Sequence, residues 1–206
     1  MAKIMIINAS PRAPRSNSKR YAQLFERWSK QETATFALTR KNHVDICRAM
    51  EGFENVLLVF PLYADGIPST LLNFLKVLET NPPQRKPTVS VLINCGFIEP
   101  EQNDVAVEMV QLFCEQNGFP FGSALKIGSG EAILDTPFKI LVSYAIKKLV
   151  RAIDRGENQD ISTRMPLPKR IFIAASTRYW EGQGRKNGIT HEQMETMEIE
   201  KNEIHK

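Results

Sequence analysis

Strand-like segments recur along this chain, and each is followed by a loop and then by a helix-like pattern. KIMIIN (3–8) is an unbroken apolar run, and NVLLVFPLY (55–63) is the clearest buried strand. PTVSVLINCG (87–96) and PFGSALKIGSG (120–130) are further candidate strands, with a weaker one, TATFAL, at 33–38. A run without polar alternation is typical of a strand that is covered on both faces. Five such strands alternating with helices predict an α/β fold, with a doubly wound five-stranded parallel sheet and helices on both faces.

The spacing of the apolar residues predicts where the helices lie. Helical spacing is found over 17–30, 43–50, 67–79, 99–118 and 137–155. Right-handed crossovers through these helices give a sandwich of the flavodoxin or Rossmann kind. After residue 156 the rhythm ends, because 158–168 looks like a loop, 168–188 favours a helix, and the last fifteen residues look loosely held. We therefore expect one domain over 1–156 and a C-terminal helical extension over 157–206, packed on that domain or on a partner subunit.

Composition and charge exclude several classes of protein. The chain has 206 residues and a formal net charge of +4, which fits an anionic ligand and gives little support to nucleic-acid binding. Its three cysteines form no CxxC pair and have no histidine at zinc spacing, which argues against a disulfide framework or a zinc site. The apolar start of the chain is too short for a signal-peptide core or a membrane span. We expect a soluble cytoplasmic protein without a nucleic-acid partner.

The loop after the first run, NASPRAPRSNS (8–18), is rich in hydroxyl and basic groups. Its candidate ligands are Ser10, Arg12, Ser16, Asn17 and Ser18, with Arg15 as a further charge of unassigned role. They stand just ahead of a helix N-terminus, whose free N–H groups and positive dipole end attract an anion. The alternative, a plain helix cap at Ser16 or Asn17, leaves the arginines and the other hydroxyls unexplained. Because the GxxxxGK[ST] and GxGxxG motifs are missing, we expect a monophosphate such as that of flavin mononucleotide (FMN).

Two later loops also carry groups that suit a ligand. PLYADGIPS (61–69) offers Tyr63 and the tight-turn pair Asp65-Gly66, although a simple turn with an aromatic lid on the core is the alternative. NCGFIEPEQN (94–103) offers Gly96 for close backbone approach and the aromatic Phe97. Cys95 has no histidine nearby in the sequence, which favours a packing role over a catalytic one.

These three loops together resemble those of the flavodoxin-like NAD(P)H-dependent FMN reductases. The resemblance is carried by NASPRAPRSNS (8–18), FPLYADGIPSTLLNFL (60–75) and INCGFIEPEQNDVAVEMVQLFCEQNGFPF (93–121), and it spans roughly residues 3 to 135. It implies that FMN phosphate is bound by Ser10, Arg12, Ser16, Asn17 and Ser18. It also implies that the flavin ring lies against Pro61, Leu62, Tyr63, Ala64 and Asp65, with Gly66 nearby, and against Asn94, Cys95, Gly96 and Phe97.

The resemblance further implies an enzyme that passes hydride from NADH or NADPH through bound FMN to a small acceptor, such as a quinone or a free flavin. The part of the protein would be to orient the ring, so we expect no catalytic acid or base. Backbone N–H groups of 62–66 would donate to the ring edge. The closely spaced cysteines of the iron–sulfur relatives are missing, so no cluster is expected. Family members commonly form homodimers, which we expect here too. The alternatives are a flavodoxin-like electron carrier without a nicotinamide site and a flavin-free module that recruits a protein.

Overall fold

One parallel sheet of six strands forms the centre of the chain in a computed structural model, which describes residues 3–12 and 16–196. The strands are β1 (Lys3–Asn8), β2 (Glu32–Ala37), β3 (Asn55–Pro61), β4 (Thr88–Asn94), β5 (Phe121–Ile127) and β6 (Asp160–Thr163). Their order in the sheet is β2-β1-β3-β4-β5-β6, and each neighbouring pair is parallel. The predicted α/β class and parallel sheet are confirmed, but the predicted number of five strands is wrong.

The sixth strand falls inside 158–168, which the sequence analysis treats as a loop. β6 is a four-residue edge strand in which Ile161 alone is buried, so it carries no apolar run that a pattern could reveal. Its backbone pairs with β5, as in the 2.9 Å bond from the Gly128 N–H to the Thr163 carbonyl. The buried Lys126 of β5 also pairs with Asp160 of β6 at 2.7 Å and with Asp104 at 2.8 Å. Backbone pairing, these ion pairs and the burial of Ile161 together hold the strand at the sheet edge.

Seven α-helices lie within the described residues; the first six are close to the predicted segments, and the seventh falls in the tail that was predicted to be loosely held. They are α1 (Asn17–Trp28), α2 (His43–Ala49), α3 (Ser69–Thr80), α4 (Asp104–Asn117), α5 (Lys139–Asp154), α6 (Lys169–Lys186) and α7 (His191–Glu195). The helix α4 ends at Gly118, which adopts a left-handed φ of 67° as a glycine after a helix commonly does. The predicted helix over 168–188 corresponds to α6.

Alternate residues of the strands are buried on opposite faces of the sheet. On one face, Met5, Leu58 and Phe60 belong to a cluster that includes Phe74 of α3 and Val110 of α4. The helices α1 and α5 contact each other, and they contact β3 and β5 respectively. Helices therefore cover both faces, as a sandwich of a parallel sheet requires.

The chain divides into two compact units, Met1–Met165 and Pro166–Lys206. The first contains the whole sheet, including β6, which lies beyond the predicted boundary at 156. In the second, α7 is started by Thr190, whose hydroxyl accepts from the Gln193 N–H at 3.2 Å while the Gln193 side chain accepts from the Thr190 N–H at 2.9 Å. Arg15 of the first loop lies outside the described residues. Residues 197–206 of the predicted loose tail do so as well. Across 3–12 and 16–196, no helix has both the length and the apolar character needed to cross a bilayer.

Candidate functional site

The strands β1, β3 and β4 end side by side, so the three loops singled out in the sequence meet at one edge of the sheet. Asn8 pairs in register with Val59, and Pro61 with Asn94. The chain winds outward in both directions from the β1–β3 pair, which makes this pair the switch point where open α/β sheets bind ligands. A cavity of about 570 Å³ opens there.

The residues lining this cavity come from all three loops and from two further places. They are Ser10, Arg12, Ser16, Asn17, Ser18, Lys19, Arg20, Gln23, Pro61, Leu62, Tyr63, Asn94, Cys95, Gly96 and Glu131. Among the predicted ligand residues, Ala64, Asp65 and Phe97 do not line it. All three are exposed; Ala64 and Phe97 directly follow the lining residues Tyr63 and Gly96, and Asp65 follows Ala64.

Four lining residues were not predicted: Lys19, Arg20, Gln23 and Glu131. Arg20 and Gln23 lie one and two turns beyond Ser16 on α1, so the helical period carries a signal for them. Glu131 belongs to the segment between β5 and α5, in which the sequence showed no ligand motif. Only the folded sheet brings that segment beside the first loop.

The first loop uses part of its polar groups inside the protein. Ser16 is the N-cap of α1 and accepts from the Lys19 N–H at 3.2 Å, which confirms a capping role for this residue. A hydroxyl that accepts one bond can still donate its own proton to another group. The Ser18 hydroxyl donates to Asn94 Oδ1 at 3.1 Å, and both residues are buried. Ser18 therefore joins the first turn of α1 to the end of β4.

The segment between β5 and α5 is fastened to α1 at three points. The buried Tyr21 hydroxyl donates to the Gly130 carbonyl at 2.7 Å, and Asn17 Nδ2 donates to the Glu131 carbonyl at 3.0 Å. Arg20 forms a two-pronged ion pair with Asp135, with bonds of 2.6 and 3.0 Å. The hydrogen bond from Arg20 lowers the pKa of the Asp135 carboxyl. These bonds fix the backbone of Glu131 beside the first loop.

Arg12 of the first loop pairs with the side chain of Glu131, and both residues line the cavity. The distance from Arg12 Nη1 to Glu131 Oε1 is 3.6 Å, and the side chains are 67% and 42% exposed. Lys19 and Arg20 also line it. The cations outnumber the carboxylates here, which gives this part of the cavity a positive character.

The second loop makes a tight turn in which Tyr63 and Gly66 exchange backbone hydrogen bonds of 3.1 and 3.0 Å. The turn residues Ala64 and Asp65 have φ values of 46° and 55°, a left-handed conformation that costs a non-glycine residue free energy. The Leu62 N–H is also used, because it donates to the Asn94 carbonyl at 2.8 Å. Within the described chain, Ala64 and Asp65 are the residues of 62–66 whose N–H groups donate to no backbone carbonyl.

The third loop combines an open glycine with a buried thiol. A Cβ built on Gly96 meets no protein atom within 4 Å, so protein packing does not require glycine at this position. The Cys95 side chain is buried, and this burial raises the pKa of its thiol. Asn103 donates to the sulfur at 3.3 Å. A thiol held in its protonated form is a poor nucleophile, which agrees with a packing role for Cys95.

The sequence matches no family model and no curated protein, but several solved structures share its fold. A flavodoxin from Streptococcus pneumoniae TIGR4 is 14% identical with a TM-score of 0.55, over 75% of this chain and 99% of its own. An NAD(P)H:quinone oxidoreductase from Methanothermobacter marburgensis is 11% identical with a TM-score of 0.59, over 74% and 96%. An FMN-dependent NADH-azoreductase from Bacillus anthracis, solved with FMN, is 15% identical with a TM-score of 0.53, over 74% and 99%. In the rubredoxin oxygen:oxidoreductase of Desulfovibrio gigas, this chain matches only 35% of a longer chain.

The chain has a flavodoxin-like fold. Its first five strands follow the flavodoxin-like order, and β6 extends the sheet at the β5 edge. The resemblance drawn from the sequence is thereby confirmed at the level of the fold. In this flavodoxin-like sheet, the candidate cavity lies beyond the carboxyl ends of β1, β3 and β4.

Proposed function

We propose that this protein is an FMN-dependent NAD(P)H oxidoreductase that reduces a small acceptor such as a quinone or a free flavin. The flavodoxin-like fold, shared with an NAD(P)H:quinone oxidoreductase and an FMN-dependent NADH-azoreductase, supports this proposal. Homodimer formation and a cytoplasmic location stay predictions, as does the choice between NADH and NADPH.

The observation that carries the proposal is that two kinds of chemistry line one cavity. The first loop and the start of α1 contribute the hydroxyls of Ser10 and Ser16 together with the cations Arg12 and Lys19. The second loop contributes Pro61, Leu62 and Tyr63, and the third contributes Gly96. A flavin monophosphate has the same division, since a dianionic phosphate and a flat ring stand at its two ends.

Gly96 provides an independent test of this fit. Neither a positive φ nor a protein contact requires glycine there, yet the residue lines the cavity. A close backbone approach to a bound ligand accounts for a glycine in such a place. The residues present therefore fit both the phosphate and the ring of FMN.

When bound, FMN accepts a hydride from a nicotinamide and passes the electrons to an acceptor. The residues of the chain would bind the flavin and orient its ring. The free O–H of Ser16 and the guanidinium of Arg12 would hold the phosphate, while the Ala64 and Asp65 N–H groups would donate to the ring edge. Ser18 would act through Asn94 by holding the first and third loops together. Because the Cys95 thiol is buried and protonated, we assign it no step.

Titration with FMN, followed by flavin fluorescence, tests the proposal with a matched pair of variants. Gly52 resembles Gly96 in that a Cβ on it meets no atom within 4 Å, but Gly52 does not line the cavity. We expect Gly96→Val to lower FMN affinity about tenfold or more, since a close contact is lost, and Gly52→Val to leave it unchanged. The free energies of unfolding of the two variants should lie within about 0.5 kcal/mol of each other.

Anaerobic addition of NADH or NADPH to the FMN-bound protein then separates the enzyme from the electron carrier. Rapid bleaching of the flavin absorbance is expected for the enzyme. A protein that binds FMN but is bleached only slowly would be a carrier. A protein that takes up no FMN would rule out both functions.

A further inference from the structure

Glu131 is an acidic residue in the part of the cavity that is otherwise suited to an anion. Its backbone is held by the 3.0 Å bond from Asn17, and the adjacent Gly130 is held by the buried hydroxyl of Tyr21. The carboxylate itself lies 3.6 Å from Arg12 Nη1. A carboxylate therefore stands beside the arginine that the proposed function assigns to the phosphate.

The remaining charges near this carboxylate explain why it pairs with Arg12. Arg20 is already engaged by Asp135 through two bonds. Lys19 also lines the cavity, but no ion pair joins it to a carboxylate within residues 3–12 and 16–196. Among the described residues of the first loop, Arg12 is therefore the cation for which Glu131 and an incoming phosphate would compete.

We propose that Glu131 is an internal counter-ion that occupies Arg12 until a phosphate displaces it, and that it thereby sets how tightly a phosphorylated flavin is held. This inference rests on the proposed function. A carboxylate and a phosphate oxygen both attract a guanidinium, so binding of the ligand would replace the 3.6 Å ion pair with a charge-assisted hydrogen bond to the phosphate. Because the Arg12–Glu131 ion pair must be broken first, Arg12 contributes less free energy to phosphate binding than an unpaired arginine would. The site consequently binds its phosphate more weakly than its set of donors would allow.

The paired side chains are partly exposed, so the effect should be moderate. An exposed ion pair contributes little on its own, because water and salt screen both charges. Loss of the carboxylate should therefore improve FMN binding by about threefold to fivefold. The improvement should shrink as the ionic strength rises, since the competition is between charges.

The experiment uses Glu131→Gln in the full chain, with FMN and riboflavin as matched ligands. Glutamine keeps the size of the side chain, and the backbone carbonyl that accepts from Asn17 is unchanged. Riboflavin has the same ring without the phosphate, so its affinity should be the same in both proteins. Glu79→Gln, an exposed glutamate of α3 outside the cavity, removes the same charge and should leave both affinities unchanged.

A double-mutant cycle with Arg12→Ala identifies the partner through which Glu131 acts. If the two residues compete as proposed, Glu131→Gln should tighten FMN binding in the wild-type background and have no effect once Arg12 is lost. Equal tightening in both backgrounds would overturn the inference, because Glu131 would then repel the phosphate without Arg12. Unchanged or weaker FMN binding in Glu131→Gln would overturn it as well. If neither wild type nor Glu131→Gln binds FMN, the proposed function itself fails.

Discussion

Ser18 and Asn94 lie 76 positions apart in the chain and share a buried hydrogen bond of 3.1 Å. The donor belongs to the first turn of α1 and the acceptor to the last residue of β4. The bond therefore connects the two loops that would bind opposite ends of one ligand. Its loss should change both the stability of the chain and the shape of the cavity.

We expect Ser18→Ala to lower the free energy of unfolding by about 1–2 kcal/mol, because Asn94 Oδ1 is left buried without its donor. FMN affinity should fall as well, since the first and third loops are no longer joined. Urea unfolding and FMN titration measure the two effects. The control is Ser69→Ala at the exposed start of α3, which should change stability by less than about 0.5 kcal/mol. A Ser18→Ala protein as stable as this control would contradict the prediction.

The ion pairs of Lys126 should stabilise the edge strand β6 in a pH-dependent way. Burial alone lowers the pKa of Lys126, but the hydrogen bonds to Asp104 and Asp160 outweigh burial, and the pKa is raised above 10.5. A raised pKa in the folded state gives stability that is present below the unfolded pKa and is lost as the pH rises through the folded value. We expect Lys126→Met to cost about 1–2 kcal/mol near pH 8 and less well above pH 10.5.

Chemical denaturation at the two pH values measures this difference. Lys148→Met, at an exposed position of α5, serves as the control and should cost little at either pH. A cost of Lys126→Met that stays constant across the pH range would show that the packing of the lysine stem, and not its charge, matters.

The strained turn of the second loop predicts a trade between stability and binding. Ala64 has a φ of 46°, which glycine adopts without steric cost. We expect Ala64→Gly to raise the free energy of unfolding by about 0.5–1 kcal/mol, the relief of strain less the added entropy of the unfolded chain. FMN affinity should fall, because a turn with glycine holds its N–H groups less firmly. Gly118→Ala is the reverse control, since it places a side chain at a φ of 67° and should destabilise the protein.

Buried cysteines should make the folded chain resistant to thiol reagents. Cys47, Cys95 and Cys114 are 2%, 3% and 0% exposed, and burial raises the pKa of Cys47 to about 11 and that of Cys114 to about 12. We expect a disulfide reagent to label all three thiols in denaturant. In the native protein, the rate of labelling should be limited by the rate at which the fold opens and exposes the thiols. Rapid labelling of native wild type that disappears in Cys95→Ala would instead show an accessible thiol in the cavity.

The strands with long apolar runs could be predicted from the sequence, and β6 could not. β1, β3 and β4 are buried on both faces and are apolar almost without interruption. β5 is buried as well, although Gly122, Ser123 and Lys126 interrupt its apolar residues. β6 lies at an edge with a single buried residue, and its position depends on backbone bonds and on Lys126. Such a strand is specified by its neighbours, which are distant in the chain, and not by its own pattern.

Part of the candidate site could likewise be predicted from the sequence, and part could not. The loops after β1, β3 and β4 directly follow apolar strands. The rule that ligands bind at the carboxyl edge of a parallel sheet is therefore enough to predict them from the sequence. Glu131 lies past the end of β5, and only its bonds to Asn17 and Arg12 reveal that it belongs to the cavity. Phe97 was predicted because it is an aromatic residue of the third loop, but it is 52% exposed and does not line the cavity, so its contact with a flavin ring stays a prediction.

The lining of the cavity extends from Ser10 to Glu131, which has a consequence for the life of the protein in a cell. No short fragment of the chain contains the site, because it exists only when β1, β3, β4 and the segment after β5 have come together. A ligand of this cavity therefore binds the finished fold and not its unfolded or partly folded forms. By mass action such a ligand depletes the unfolded population on which proteases act. The steady-state amount of this protein should consequently rise and fall with the supply of that ligand.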